Sequence, residues 1–474
     1  MSQPAIDVSQ SYYCKSNTGI AGLDSILNGG IPTGRATLIA GAAGCGKSLI
    51  GQKIIASGAR YAAEPGLIVT FEENRTEIIA GSKIIDDQFE DLCKQEQIVI
   101  DEINLPYPET NFQGDQSNLG GILARIEYHI KRFGVRRVLI DSIESLFSAF
   151  PSQEFIRREF RILVQQLKAL KLTVIVTAER GEGLITRHGF EEYIADCVIL
   201  CDHRIQNQLS TRRLRVVKYR GSSHSTDEFP FIITHRGIGI LPITSLTLEY
   251  PASSVILKTG IVGLDELLGG GLYEGSSILV EGTAGTGKTS ICATIAQHLC
   301  AAGKRVLYIN FEESEAQLVR NLKSIGVDLQ TEIDAERLFF HCFRPTAYGL
   351  ESHLASIEEI FQRLLPNIVL LDPITSLINV GDSQQIYSML CRLLDIFKLA
   401  SATVILTSLK GTQKHAISES GISSVVDTWI DLNVQITAQK LQERQIRIVK
   451  ARGLANLQQI GDFTISKTGL EIHI

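Results

Sequence analysis

Two segments of this 474-residue chain carry residue types that bind a polyphosphate: Gly41-Ala42-Ala43-Gly44-Cys45-Gly46-Lys47-Ser48 and Gly282-Thr283-Ala284-Gly285-Thr286-Gly287-Lys288-Thr289. Both fit G-x-x-x-x-G-K-[S/T]. The glycines let backbone N–H groups curl around phosphates, the lysine reaches the β- and γ-phosphates, and the hydroxyl binds Mg²⁺. A second set of carboxylates completes this chemistry. Asp141 and Asp372 each end an apolar run, where a carboxylate orients the metal shell together with Ser48 and Thr289. Glu72-Glu73 and Glu312-Glu313 end earlier apolar runs, where a carboxylate polarises a water or hydroxyl beside the γ-phosphate. Glu312 also stands with the metal-shell candidates. The bland alternative for each Glu pair is an acidic first turn of a helix. Its recurrence after both loops favours the catalytic role.

These residues need strands and helices to hold them, and the chain supplies two matching sets. Thr18-Gly19-Ile20-Ala21-Gly22-Leu23-Asp24 and Thr259-Gly260-Ile261-Val262-Gly263-Leu264-Asp265 are offset by 241 (259 − 18), as are the loop lysines (288 − 47). The Glu pairs are offset by 240 (312 − 72), and the strand-ending aspartates by 231 (372 − 141). Val217-Lys218-Tyr219-Arg220-Gly221 and Val449-Lys450-Ala451-Arg452-Gly453 are offset by 232 (450 − 218). The repeat is a whole domain, with expected bounds 1–245 and 246–474. Within the first half, strands are expected near 36–41, 67–71, 98–103, 136–141 and 172–178, and helices near 47–60, 119–133 and 153–170. Successive strands follow from about 197 to 241. Each half reads as a mostly parallel α/β sheet flanked by helices. Pro242 to Lys258 reads as the linker and the run-in to the second domain.

Composition narrows the class. A hydrophobic content of 44% suffices for two packed cores, and the net charge of −6 argues against a general nucleic-acid coat. No basic-then-apolar leader and no long uncharged apolar run is present, so a cytoplasmic protein without a membrane span is expected. The nine cysteines are scattered without a C-x-x-C pair. Cys197 and Cys201 read as core residues of a strand. Cys45 reads as a small residue that the loop tolerates rather than a redox switch.

Together the tandem loops, the Glu pairs and the K-x-R-G segments resemble the KaiC family of circadian-clock ATPases, in the RecA/DnaB-like branch of P-loop proteins. The resemblance implies two tandem RecA-like domains, ATP and Mg²⁺ as ligands, and a homohexamer with nucleotide between adjacent subunits. It implies ATP hydrolysis in the first domain and Ser/Thr autophosphorylation in the second. By the same resemblance, Leu49 joins the first loop, and Lys218, Tyr219 and Arg220 with Lys450, Ala451 and Arg452 are contacts to the neighbour's nucleotide. Otherwise the four cations would be a solvated edge strand. Arg444 falls where the family has another interface cation. Ser222 and His224 match the family's nucleotide-contacting turn, whereas Gly453-Leu454-Ala455-Asn456 has no His, so affinity or specificity for nucleotide is expected to differ there. Ser423 and Ser424 match the family's phosphoacceptor pair. Without the resemblance they would simply start a helix or turn.

The last strand pair lies close to Ile474, so a KaiA-binding tail like that of clock proteins is not expected, and neither is KaiA as a partner. A KaiB-like or signalling protein is. Two other classes compete: a RecA/DnaB-like DNA-dependent ATPase, and an ATP-gated signalling scaffold. The first would line a pore with basic loops. The candidate segments, 179–190 and 410–421, are Gly-rich and mixed in charge, so nucleic acid is not expected. Complete motif sets in both halves argue against the scaffold.

Overall fold

The computed structural model describes residues 14–103, 119–148, 152–206, 209–234, 237–240, 251–410, 421–436 and 442–474. The chain divides into two units, Met1–Ser245 and Leu246–Ile474.

In the first unit the strands are β1 (Lys15–Ser16), β2 (Ile31–Pro32), β3 (Ala36–Gly41), β4 (Gly66–Thr70), β5 (Ile98–Glu102) and β6 (Arg137–Asp141). They continue with β7 (Thr173–Glu179), β8 (Cys197–Gln206), β9 (Leu209–Tyr219), β10 (Phe229–Thr234) and β11 (Gly237–Ile240). The helices are α1 (Ala21–Ile26), α2 (Lys47–Tyr61), α3 (Arg75–Ser82), α4 (Phe89–Lys94), α5 (Gly120–Phe133), α6 (Ile143–Ser148), α7 (Gln153–Ala169) and α8 (Glu191–Ile194). Nine strands form one sheet in the order β11-β10-β9-β8-β3-β7-β6-β4-β5. The six from β8 to β5 run parallel, and β9, β10 and β11 add on antiparallel.

The reason is visible in burial. All residues of β3 and β4 are buried, as a parallel strand covered on both faces requires. On α7 the buried residues Ile156, Phe160, Leu163, Val164 and Leu167 follow the helical period and form one stripe. One cluster of buried residues, including Ile39, Ile54, Ile68 and Phe89, covers one sheet face. The other face carries Leu38, Val69, Phe160 and Leu163.

The second unit repeats the plan. Its strands are β12 (Ile256–Leu257), β13 (Leu272–Tyr273), β14 (Ser277–Gly282), β15 (Val306–Asn310), β16 (Leu338–Cys342) and β17 (Ile368–Asp372). They end with β18 (Thr403–Leu409), β19 (Thr428–Ile436), β20 (Gln442–Ala451), β21 (Ile460–Ser466) and β22 (Gly469–His473). The helices that concern the site are α9 (Val262–Leu267), α10 (Lys288–Ala301) and α11 (Glu315–Lys323). The sheet order is β16-β15-β17-β18-β14-β19-β20-β21-β22, the same topology as in the first unit. Even the register shift recurs, between Val198 and Ile199 in β8 and between Trp429 and Ile430 in β19.

Two tandem RecA-like domains are therefore the fold. The phosphate loops leave β3 and β14, the strands at which the sheet order switches, and this is where open α/β sheets bind ligands. Of the stretch read as a linker, residues 242–250 lie outside the described residues, and Ile256–Leu257 already pairs with β13. Of the two segments weighed as pore loops, 179–190 follows β7, and 411–420 lies outside the described residues. Among the described residues no helix is long and apolar enough to cross a membrane.

Candidate functional site

Each phosphate loop turns on glycine. Gly46 and Gly287 cap α2 and α10 in left-handed backbone, with φ of 99° and 98°. Glycine adopts that backbone at little cost, where a side chain would be strained, and the turn aims the helix N-terminus at the loop. Lys47 Nζ donates to the carbonyls of Gly41 and Ala42, both at 3.0 Å. Lys288 Nζ does the same to Gly282 at 2.8 Å and Thr283 at 2.9 Å. Each ammonium is thus folded over its own loop. Burial lowers the pKa of Lys288. Gly44 and Gly285 also have positive φ, and Thr286 Oγ1 braces its loop by donating to Thr283 O at 2.9 Å. Leu49 is half-buried in the first turn of α2.

Asp141 and Asp372 end β6 and β17 beside these loops. Ser48 Oγ donates to Asp141 Oδ1 at 3.2 Å, and Thr177 at the end of β7 donates to the same oxygen. Burial raises the Asp141 pKa. In the second unit Thr407 donates to Asp372 Oδ1, and the buried Tyr308 hydroxyl donates to Oδ2 at 2.7 Å. Thr289, Asp372, Glu312 and Glu313 line one cavity of about 280 Å³ with Asn310, Ser290 and Asn321. A hydroxyl beside a carboxylate, with only oxygen donors, fits Mg²⁺, which is held by few protein ligands and by substrate phosphates.

The Glu pairs stand outside their helices, not in a first turn. Asn74 caps α3 in a capping box: its side chain accepts from Glu77 N at 3.0 Å, and Glu77 accepts from Asn74 N at 3.0 Å. Ser314 and Gln317 make the same box at α11. The preceding carboxylates are fixed by these boxes and by the strand ends. Glu313 N and Glu312 N donate to Asn310 Oδ1 at 2.6 and 2.9 Å, and Glu73 N donates to Thr70 Oγ1 at 3.2 Å. The first glutamate of each pair accepts from a serine beyond the aspartate strand: Glu72 from Ser142 and Ser145, and Glu312 from Ser376 at 2.8 Å. Glu313 Oε1 accepts from Asn321 Nδ2 at 3.3 Å. Burial, then Asp141, Glu77 and Glu72, raises the Glu73 pKa.

The cations on β9 and β20 gather somewhere else. Lys450 Nζ donates to the carbonyls of Ser423 and Ser424 at 3.1 Å and of Val426 at 2.6 Å. Arg452 Nη2 donates to Ser424 O at 2.8 Å. Lys218 donates to Glu192, Tyr193 and Ala195, and Arg220 to Tyr193. Within one chain these side chains therefore grip a backbone turn and not a phosphate loop. Burial lowers the pKa of both lysines. Ser423–Val425 is a single helical turn, with Ser424 exposed and its hydroxyl donating to Gly421 O at 2.6 Å. The matched residues of the first unit are Glu192 and Tyr193, so no serine pair stands there.

Other expected contacts divide. Arg444 lies near the second loop, its Nε 3.5 Å from Gly285 O. Arg212 makes the same contact to Gly44 O at 3.5 Å and had no assigned role; the 232 offset (444 − 212) would have found it. Tyr219 is turned into the core, its hydroxyl donating to Gly30 O at 2.9 Å. Ser222 accepts from Lys15 at 2.7 Å, and both ring nitrogens of His224 are buried without a partner among the described residues. Ala451 is half-buried at the end of β20. Thr177, Thr407 and Tyr308 were also missed. They sit inside apolar runs, where only the fold brings them to an aspartate.

Comparison with known proteins agrees with this geometry. A family model described as "ATPase: KaiC" matches residues 16–245 and again 257–474. The chain is 42% identical over 463 residues to the circadian clock protein KaiC2 of Synechocystis sp., covering 97% of this chain and 81% of that protein. It is 33% identical over 477 residues to the circadian clock oscillator protein KaiC of Synechococcus elongatus, covering 100% of this chain and 91% of that protein. The corresponding protein of Parathermosynechococcus lividus is 33% identical over 466 residues, with coverage of 97% and 85%.

Proposed function

The chain belongs to the KaiC family of ATPases, and from that premise we propose that it is a cytoplasmic, nucleotide-bound homohexamer. Its first unit hydrolyses ATP. Its second transfers the γ-phosphate to Ser423 and Ser424 of the adjacent subunit. One observation carries the second activity: Lys450 and Arg452 fasten to the backbone of Ser423 and Ser424. Acceptor and cation thus travel together on one subunit, and delivery of one to a neighbour's nucleotide delivers the other.

The residues act as follows. Lys47 and Lys288 leave their loop carbonyls for the β- and γ-phosphates when ATP enters. Ser48 with Asp141, and Thr289 with Asp372, would hold Mg²⁺, which would supply positive charge against the phosphate oxygens. In the first unit Glu72 and Glu73 orient a water and take its proton as the water oxygen bonds to the γ-phosphorus and ADP leaves. In the second unit Glu312 and Glu313 take the proton of the incoming serine hydroxyl. Serine is a weak nucleophile at neutral pH, so this carboxylate and a nearby cation are both needed. Arg452 and Arg220, at the rim of the gripped turns, offset charge on the transferring group. A KaiB-like or signalling protein is the partner this reading expects, and a timing or signalling role follows from the relatives' names.

The test is incubation with labelled Mg-ATP followed by phosphosite mapping. Label should reach Ser423 and Ser424, and Ser423→Ala with Ser424→Ala should remove it. Glu312→Gln with Glu313→Gln should remove it while ATP still binds. Phosphate found elsewhere, or none after long incubation, defeats the autokinase and leaves the ATPase standing. Light scattering with and without Mg-ATP tests assembly, and a monomer under both conditions sinks the shared site.

A further inference from the structure

Cys45 lies inside the first phosphate loop, two residues before α2, and is fully buried. Along the chain it reads as a small residue that the loop tolerates, because spacing hides its neighbour; the fold reverses that reading. Cys201 lies on β8, opposite Gly41 in the β3–β8 ladder, and is also fully buried. A Cβ built on Gly41 would stand 2.6 Å from Cys45 Sγ and 3.1 Å from Cys201 Cβ. The two cysteines therefore converge on the space that this glycine leaves. The Cys201 thiol first, and Lys47 after it, hold the Cys45 thiol below its usual range, while Cys45 and burial push Cys201 well above, against Lys47. Burial pushes Cys93, Cys197, Cys292 and Cys300 the other way from Cys45.

The second unit has the same architecture without the chemistry. A Cβ on Gly282 would meet Thr286 Oγ1 at 2.7 Å and Leu432 Cβ at 3.0 Å. Thr286 and Leu432 thus occupy the places of Cys45 and Cys201, and neither can be oxidised to a bond.

We propose that Cys45 and Cys201 are a reversible disulfide site that ties the first phosphate loop to β8 and closes the first nucleotide site alone. The oxidant is a peroxide. The Cys45 thiol releases its proton, the thiolate attacks a peroxide oxygen, the O–O bond breaks, and the departing hydroxide takes up that proton, so that sulfenic acid and water form. Cys201 sulfur then displaces hydroxide from that sulfenic sulfur, and the thiol proton leaves with it as a second water. The sum is two thiols and H₂O₂ to one disulfide and two waters. A disulfide requires sulfurs about 2.05 Å apart, so Cys45 must move toward β8. The loop N–H groups around it then leave the positions that surround a phosphate. Because the second loop lacks the pair, oxidation would separate the two domains' activities. The loss of binding rests on the reading of the first loop as a nucleotide site; the covalent bond does not.

The experiment treats the full-length, nucleotide-free protein with hydrogen peroxide, blocks free thiols, and maps peptides without reduction. A Cys45–Cys201 linked peptide, two hydrogens lighter and reopened by dithiothreitol, is expected. A fluorescent ATP analogue should fall from two bound per chain to one on oxidation and return on reduction. In Cys201→Ser, two should remain bound throughout. Absence of the linked peptide, or a linked peptide with unchanged stoichiometry, overturns the proposal. If the reduced protein binds nucleotide at the second loop alone, the reading of the first site fails, while the peptide map still judges the bond.

Discussion

Lys450 Nζ lies 3.1 Å from the Ser424 carbonyl oxygen, and its other bonds go to Ser423 O and Val426 O. An ammonium has three donors, and here three carbonyls accept them. In this conformation Lys450 fastens the acceptor turn, which leaves Arg452 as the cation better placed to face a phosphate. Lys218 makes the same grip on the turn at Tyr193. The grip belongs to the fold of each domain, and the serines are peculiar to the second.

Lys450→Met should therefore loosen the turn without touching its own subunit's phosphate loop. Loss of charge-assisted hydrogen bonds is worth about 1.5–3 kcal/mol, or roughly ten- to a hundredfold in the rate of serine labelling. Nucleotide affinity should hold. Equal labelling of variant and parent would show that the turn is positioned by other contacts.

Gly46→Ala should weaken the first nucleotide site. At φ of 99° an alanine is strained, and its Cβ would fall 2.7 Å from Ile233 Cδ1 on β10. Left-handed strain of about 1–2 kcal/mol predicts a loss in affinity of around tenfold. Titration with a fluorescent ATP analogue, in a chain whose second loop is disabled by Lys288→Met, reads this site alone. Unchanged affinity would mean that the loop opens before nucleotide binds.

How far the sequence reached depends on how local each signal is. The β3, β4 and β6 runs and the helical stripe of α7 were legible because burial imposes their periods directly. The Glu pairs were legible as a repeat at the ends of apolar runs. The caps that keep them out of the following helices were not read, although Asn74 with Glu77 and Ser314 with Gln317 spell capping boxes in plain order. Arg212 hid among Arg213 and Arg215, and Tyr308 hid in an apolar strand. Cys201 is remote from Cys45 in the chain, and only the β3–β8 pairing joins them. The trans role expected of Lys218 and Lys450 concerns a neighbouring subunit; within one chain both are held by carbonyls.

The acid limb of ATP hydrolysis should sit above the ordinary glutamate value near 4.5, because burial and three negative neighbours raise Glu73. A base works deprotonated, so the rate falls as pH falls through this raised value. Glu77→Gln removes one of the neighbours and keeps an oxygen for the capping box, so the limb should move to lower pH with the helix intact. The measurement is kcat against pH for both proteins. Superimposable profiles would rule out Glu73 as the titrating base.

Tyr308→Phe tests the metal carboxylate of the second unit. The Tyr308 hydroxyl donates to Asp372 Oδ2 at 2.7 Å, and both residues are buried. Residue 68 is the first-unit counterpart, and it is isoleucine, so Asp141 has no such donor. Removing the hydroxyl leaves a buried carboxylate oxygen without that partner. A hydrogen bond to a charged group is worth about 1.5–3 kcal/mol, and an oxygen left unsatisfied costs at the upper end. The second unit should unfold at lower denaturant, and serine labelling should fall with Asp372 less firmly held, while hydrolysis by the first unit persists. Ile68→Tyr would not serve as the reverse test, since an added ring in a filled core costs stability by itself. Bound Mg-ATP should narrow the stability gap if the ion takes over the charge that Tyr308 stabilises. A gap that stays constant with saturating Mg-ATP would mean that Tyr308 supports the strand and not the metal carboxylate.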